Sequence, residues 1–192
     1  MKRVWIVVLG IVAAIILLAA ITAGKFISIR NDLVVQRTAI DGQWADVEVS
    51  LQRRADLIPN LVQTVKGFAT HETEVFKNIA DARAALGGAR TPAEKIQAND
   101  QLSGALSRLL VIAENYPQLR SNENFLRLQD ELAGTENRIS VERRKYNEAI
   151  MHYNAALQVF PNNIVASMSG FQPNNAYFKT EPGAQAAPKV QF

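Results

Sequence analysis

The chain has 192 residues, of which 48% are hydrophobic, 20% charged and 7% aromatic, with a formal net charge of +3 and no cysteine. That length accommodates one domain of ordinary size plus appendages. Basic residues are interleaved with acids (Arg53–Arg54 before Asp56, Glu142 before Arg143–Arg144), so the clustered cationic, aromatic-studded surface of a nucleic-acid binder is absent, and the lack of cysteine excludes a disulfide framework, thiol chemistry and a thiolate metal site.

The first segment is the most informative. Val4 to Gly24 reads VWIVVLGIVAAIILLAAITAG, 21 residues without a charge, flanked by Lys2–Arg3 and Lys25. About 20 apolar residues span the hydrocarbon core of a bilayer as a helix, whereas a cleavable signal has a shorter apolar region and ends on small residues. Ile21-Thr22-Ala23 matches such an ending poorly, so residues 1–24 are expected to form an N-terminal tail and a retained anchor in the lipid bilayer. Lys2 and Arg3 precede the span while Lys25, Arg30 and Arg37 follow it. The count is nearly balanced, and the basic dipeptide directly before the apolar run favours an N-terminus inside and a helical domain outside.

From Leu33 onward apolar residues recur in alternating steps of four and three: Ile40, Trp44, Val47, Leu51, Ile58, Leu61, Val65, Phe68, Val75, Ile79, Ala82, Leu86. This coiled-coil-like seam marks helices that pack on other helices, and Gly87–Gly88 closes it. Thr91-Pro92-Ala93-Glu94 then offers a capping threonine, a proline whose missing N–H does no harm, and a glutamate to complete a capping box. Leu102, Leu106, Leu109, Ala113 and Tyr116 form the next stripe, and Pro117 predicts a turn through Ser121. A last long helix is predicted over 122–159, with Phe125, Leu132, Ile139, Tyr146 and Tyr153 one heptad apart and Pro161 as its stop.

Pro59 decides the architecture. An interior proline deletes a helix hydrogen bond and clashes with the turn before it, at a cost of ~3 kcal/mol. Continuity of the seam argues for a kink. Length argues for a break near Asp56, because one helix from Leu33 to Leu86 would be roughly 80 Å long and the following helix would cover only half of it. The expected fold is therefore all-α: an N-terminal transmembrane helix, then an antiparallel bundle over 25–179, four-helix up-and-down in preference to three helices with a kinked first, and a flexible Pro/Gly/Ala-rich tail over 180–192.

Candidate functional residues are few. His71 lacks a second histidine four residues on, and His152 follows Glu148 by four where carboxylate-bridged bundles use three. No phosphate loop or nucleophile elbow appears, so no catalytic, metal or cofactor residue is assigned. Arg54 and Glu72 occupy seam positions, and Glu142 joins them; either they snorkel to the bundle edge or they form a buried network that sets helix register. Arg53, Arg54 and Asp56 are expected to tie the first helix to the last. A polar stripe of Asn137, Ser140, Arg144, Asn147 and Asn154 lies off the seam of the last helix. It is either a solvated face or one that holds a partner through directional hydrogen bonds.

Arg53-Arg54-Ala55-Asp56-Leu57-Ile58-Pro59-Asn60-Leu61-Val62 with Val65-Lys66-Gly67-Phe68-Ala69-Thr70-His71-Glu72 resembles the signature block of the LemA family. So do Ala113-Glu114-Asn115-Tyr116-Pro117-Gln118-Leu119, Asn122 to Gln129, Thr135-Glu136-Asn137-Arg138-Ile139, Arg144 with Tyr146-Asn147, and Phe160-Pro161. The resemblance covers roughly residues 25–180. It implies a helical bundle behind one transmembrane helix in bacteria, no accepted catalytic residues, and relatives linked to membrane organisation. The resulting expectation is a self-associating scaffold of the bacterial inner membrane, a homo-oligomer with a possible further envelope-protein partner and no nucleic acid. A regulatory adaptor for a membrane protease or transporter, and an enzyme with an unrecognised site, are the alternatives.

Overall fold

The computed structural model describes residues 2–178, and side chains from Trp5 onward. The tail expected over 180–192 lies outside the described residues. Six helices follow one another: α1 (Lys2–Lys66), α2 (Thr73–Gly88), α3 (Pro92–Ala113), α4 (Pro117–Arg120), α5 (Glu123–Ala156) and α6 (Asn162–Ser169). The protein is all-α, with no strand among the described residues.

The break expected near Asp56 does not occur; α1 runs through Pro59 and ends at Lys66. In a regular helix the N–H of residue 59 would bond the carbonyl of residue 55, and proline leaves that acceptor open. Here the Ala55 carbonyl accepts a hydrogen bond from Arg83 Nε of α2 at 2.9 Å. A side chain from the next helix thus replaces the missing backbone donor, and the helix continues. The interruption falls instead at 67–72, and the chain re-enters helix at Thr73. Around that turn burial moves by one residue, since Ala69 and Phe76 are buried whereas Phe68 is exposed and Val75 half-buried; Ile79, Ala82 and Leu86 are buried at the expected seam positions.

The described chain divides into two units. In the first, residues 2–41 and 149–175, α1 buries Leu33 and Ile40, α5 buries Ile150 and Tyr153, the turn after it buries Leu157, and α6 buries Val165 and Ala166. Gly170 at φ +74 turns the chain out of α6 in the left-handed conformation that glycine adopts without cost, and the Phe171 N–H bonds the Ala166 carbonyl at 3.0 Å.

The second unit takes in residues 42–148 and, among the described residues, 176–178. Contacts along α1 fix its topology. Lys66 lies over Phe76 and Ala55 meets Arg83, so α2 runs back along α1. Glu48 pairs with Lys95 and Arg54 with Asn99, so α3 runs with α1; Arg54 pairs with Glu136 and Trp44 with Tyr146, so α5 runs back. Up and down alternate as the short connections require. Leu51, Ile58, Leu61 and Val65 of α1 are buried with Ile79, Leu102, Leu109 and Ile139 of its neighbours, each such side chain gaining ~1.5–3 kcal/mol on leaving water. The capping box opens α3 as expected: Thr91 Oγ1 accepts from the Glu94 N–H at 3.2 Å, and Glu94 Oε2 accepts from the N–H groups of Arg90 and Thr91. The turn after Tyr116 is tightened into α4.

Candidate functional site

Three features of the chain bear on function: an apolar helix surface, a buried polar cluster and a socket around Phe178. The first belongs to the N-terminal part of α1. Trp5, Ile6, Leu9, Ile15, Ile16, Leu17, Leu18 and Ile21 are all exposed, so this stretch finds no cover among the described residues. It is long and apolar enough to cross a membrane.

The polar cluster sits in the second unit, where α1, α3 and α5 meet. Arg54 is only 7% exposed. Its Nη1 lies 2.8 Å from Glu136 Oε2 and donates to Asn99 Oδ1 and Ser103 Oγ, each at 3.0 Å. Asn99 is wholly buried, and Ser103 Oγ donates in turn to the Asn99 carbonyl at 2.9 Å. Burial pushes the guanidinium below its ordinary pKa, the Glu136 carboxylate opposes that shift, and the nearby Arg143 adds to it. A guanidinium in such a cage keeps its proton. The physical effect of the cluster is on register, since sliding either neighbouring helix would strand a buried charge. Arg53 reaches Glu131 of α5 at 3.2 Å, with both side chains largely in solvent. Asp56, expected to reach the last helix, instead accepts from Gln52 on its own helix at 2.8 Å. Glu72 lies in the turn before α2 and accepts from the Tyr116 hydroxyl at 3.2 Å; burial and this bond both raise the tyrosine pKa.

The socket joins Trp44 and Tyr146 of the apolar seams and Asn147 of the polar stripe to two residues that the sequence left without a role, Phe178 and Arg143. Phe178 is 8% exposed. Its ring stacks on Trp44 at 6.1 Å and 26°, meets Tyr146 edge-on at 5.9 Å, and lies under the Arg143 guanidinium at 4.7 Å. Trp44 and Tyr146 also touch each other at 5.2 Å. The Asn147 amide grips the Phe178 backbone from both sides, Nδ2 donating to its carbonyl at 2.9 Å and Oδ1 accepting its N–H at 3.0 Å. In the first unit Asn154 makes the same paired contact with Asn174, at 2.7 and 2.9 Å, and the Tyr153 hydroxyl donates to the Gln172 carbonyl at 3.1 Å.

This corrects the expected outer face. A carboxamide carries one donor and one acceptor side by side, the complement of a peptide group, and at Asn147 and Asn154 that capacity is used within the chain. Asn137, Ser140 and Arg144 remain exposed. The sequence signals for the socket were the seam positions of Trp44 and Tyr146 and the presence of amides where lysine and glutamate usually dominate; Phe178 and Arg143 gave none. His71 and His152 are exposed, and no group of three or more His, Asp or Glu capable of holding a metal occurs among the described residues.

An all-helical bundle joined to a bare apolar helix defines a membrane-associated helical protein. Residues 43–192 match the LemA family, and the chain belongs to it. The match includes residues 180–192, which the motif resemblance had left out. Similar proteins include the magnetosome protein MamQ 2 of Paramagnetospirillum magneticum, 27% identical over 90% of this chain and 74% of the relative. The magnetosome protein MamQ of Magnetospirillum gryphiswaldense is 26% identical over 79% of this chain and 65% of its own length. Protein LemA of Metamycoplasma hominis is 24% identical over 73% of this chain and 65% of its own length.

Proposed function

We propose that this protein is a scaffold of the bacterial cytoplasmic membrane: a single span over residues 4–24 holds a helical domain that self-associates and performs no catalysis. The observation that carries this reading is α1 itself. One uninterrupted helix, Lys2–Lys66, begins as a bare apolar surface and ends within a bundle whose buried polar groups serve packing. A span cannot choose partners by hydrophobicity alone, because lipid satisfies it equally well, so selectivity falls to the helical domain. Membrane confinement raises the effective concentration of the copies. Asn137 and Arg144 are exposed on α5 and offer the directional contacts for side-by-side registry. Membership of the LemA family, with relatives named for an organelle rather than a reaction, supports the same role. The N-terminus is placed inside and the bundle on the outer side, from the basic dipeptide before the span.

Size-exclusion chromatography with light scattering on the full chain in mild detergent tests the reading. We expect more than two subunits, with Arg144→Glu weakening assembly at unchanged helix content. A protein that stays monomeric across detergents and concentrations would sink self-association and favour an adaptor for a heterologous membrane partner. A reporter fused after Phe192 that is active only in the cytoplasm would reverse the orientation.

A further inference from the structure

The contacts around Phe178 divide between its backbone and its side chain. Two sets of groups act on one residue. Asn147 satisfies both backbone groups of Phe178, a bond pair available to any residue except proline in an extended segment. Trp44, Tyr146 and Arg143 act on the side chain alone, with a stacked face, an edge and a cation over the ring. Stacking and cation–π attraction depend on the π-electrons of the ring, so an aliphatic side chain of equal bulk recovers the hydrophobic part only. The four receiving residues lie on the two longest helices, Trp44 on α1 and Arg143, Tyr146 and Asn147 on α5, so the receptor side is rigid. The received residue comes from a different kind of structure, a segment with no helix or strand of its own after α6.

We propose that Trp44, Arg143, Tyr146 and Asn147 form a peptide-binding site for an extended segment bearing phenylalanine, and that Phe178 occupies it in cis as a built-in plug. The ligand is a polypeptide of another molecule that presents a Phe with free backbone N–H and C=O groups. The plug sets the threshold: it is tethered, so its effective concentration is on the order of millimolar and an incoming segment must outcompete it. This site requires neither self-association nor the Arg144 face, and its test is independent of both.

The probe is a fluorescent peptide of residues 171–178, read by polarisation against full-length protein in mild detergent. The Phe178→Ala chain is expected to bind it saturably and at least ~10-fold more tightly than the wild-type chain, whose plug competes. Phe178→Leu, which keeps apolar bulk and guards against a folding failure of the alanine variant, should fall between the two. A peptide carrying cyclohexylalanine at position 178 should bind the Phe178→Ala chain more weakly than the phenylalanine peptide, and one with N-methylated Phe178 more weakly still. Adding Asn147→Ala or Trp44→Leu to Phe178→Ala should abolish binding, with circular dichroism unchanged. Equal affinity of the phenylalanine and cyclohexylalanine peptides, or of the wild-type and Phe178→Ala chains, would overturn the proposal and leave Phe178 as a packing residue.

Discussion

Arg83→Ala tests why α1 survives its proline. The substitution removes the 2.9 Å bond to the Ala55 carbonyl, the acceptor that Pro59 leaves open, on a residue only 9% exposed. A hydrogen bond from a charged donor contributes ~1.5–3 kcal/mol, and the solvent-exposed position of the arginine brings the expected loss to the low end, ~1–2 kcal/mol. For a chain of this size that is a fall in Tm of about 3–6 °C. The decisive measurement is the double-mutant cycle with Pro59→Ala. Alanine restores a backbone N–H that bonds residue 55 directly, so Pro59→Ala should leave stability equal or higher and make Arg83 dispensable. Arg83→Ala should therefore cost less than ~0.5 kcal/mol in the Pro59→Ala background, a coupling of about 1 kcal/mol. Thermal and denaturant unfolding of the full chain in detergent, followed by circular dichroism, reads all four proteins. If Arg83→Ala costs the same in the parent as in the Pro59→Ala variant, the arginine does not replace the lost donor and the account of α1 is wrong.

Three further outcomes follow from the described contacts. Arg54→Ala should destabilise by ~3 kcal/mol, because buried Asn99 loses its donor and Glu136 its counter-charge; a melting point within error of the parent would assign Arg54 to the solvated surface. The Tyr116 pKa is raised by burial and by Glu72, so the unfolded chain ionises first and this contribution, full below about pH 10, is lost as pH rises through the folded value. The drop in Tm between pH 9 and pH 11 should accordingly shrink in Tyr116→Phe, and an undiminished drop would count against the Glu72 contact. Asn147→Leu removes the acceptor of the Phe178 N–H together with the donor to its carbonyl, so hydrogen exchange at the Phe178 amide should accelerate at least ~10-fold; unchanged protection would show that the backbone clamp contributes little.

Local physics alone specified much of this protein. The uncharged run from Val4 to Gly24, the caps at Thr91 and Glu94, and the period that buries Leu51, Ile58, Leu102 and Ile139 all depend on residues within a few turns of one another, so they are readable from order and spacing. The polar seam position at Arg54 was readable in the same way, although its partners were not. Tertiary structure decided what each unsatisfied group would meet. Pro59 signals a defect wherever it stands in a helix, but only the fold brings Arg83 to the carbonyl, 28 residues before it, that the proline leaves open. Asn147 signals paired bonding capacity, but only the path of the chain after α6 brings Phe178, 31 residues later, to use it. At 67–72 the turn moved burial from Phe68 and Val75 to the neighbouring Ala69 and Phe76, because a period holds only while the backbone remains helical, and the seam then resumed in register at Ile79, Ala82 and Leu86. Periodicity and capping are short-range properties of a chain, whereas the partner of an open carbonyl, a buried charge or a bifunctional amide is chosen by whichever distant segment packing brings within ~3 Å.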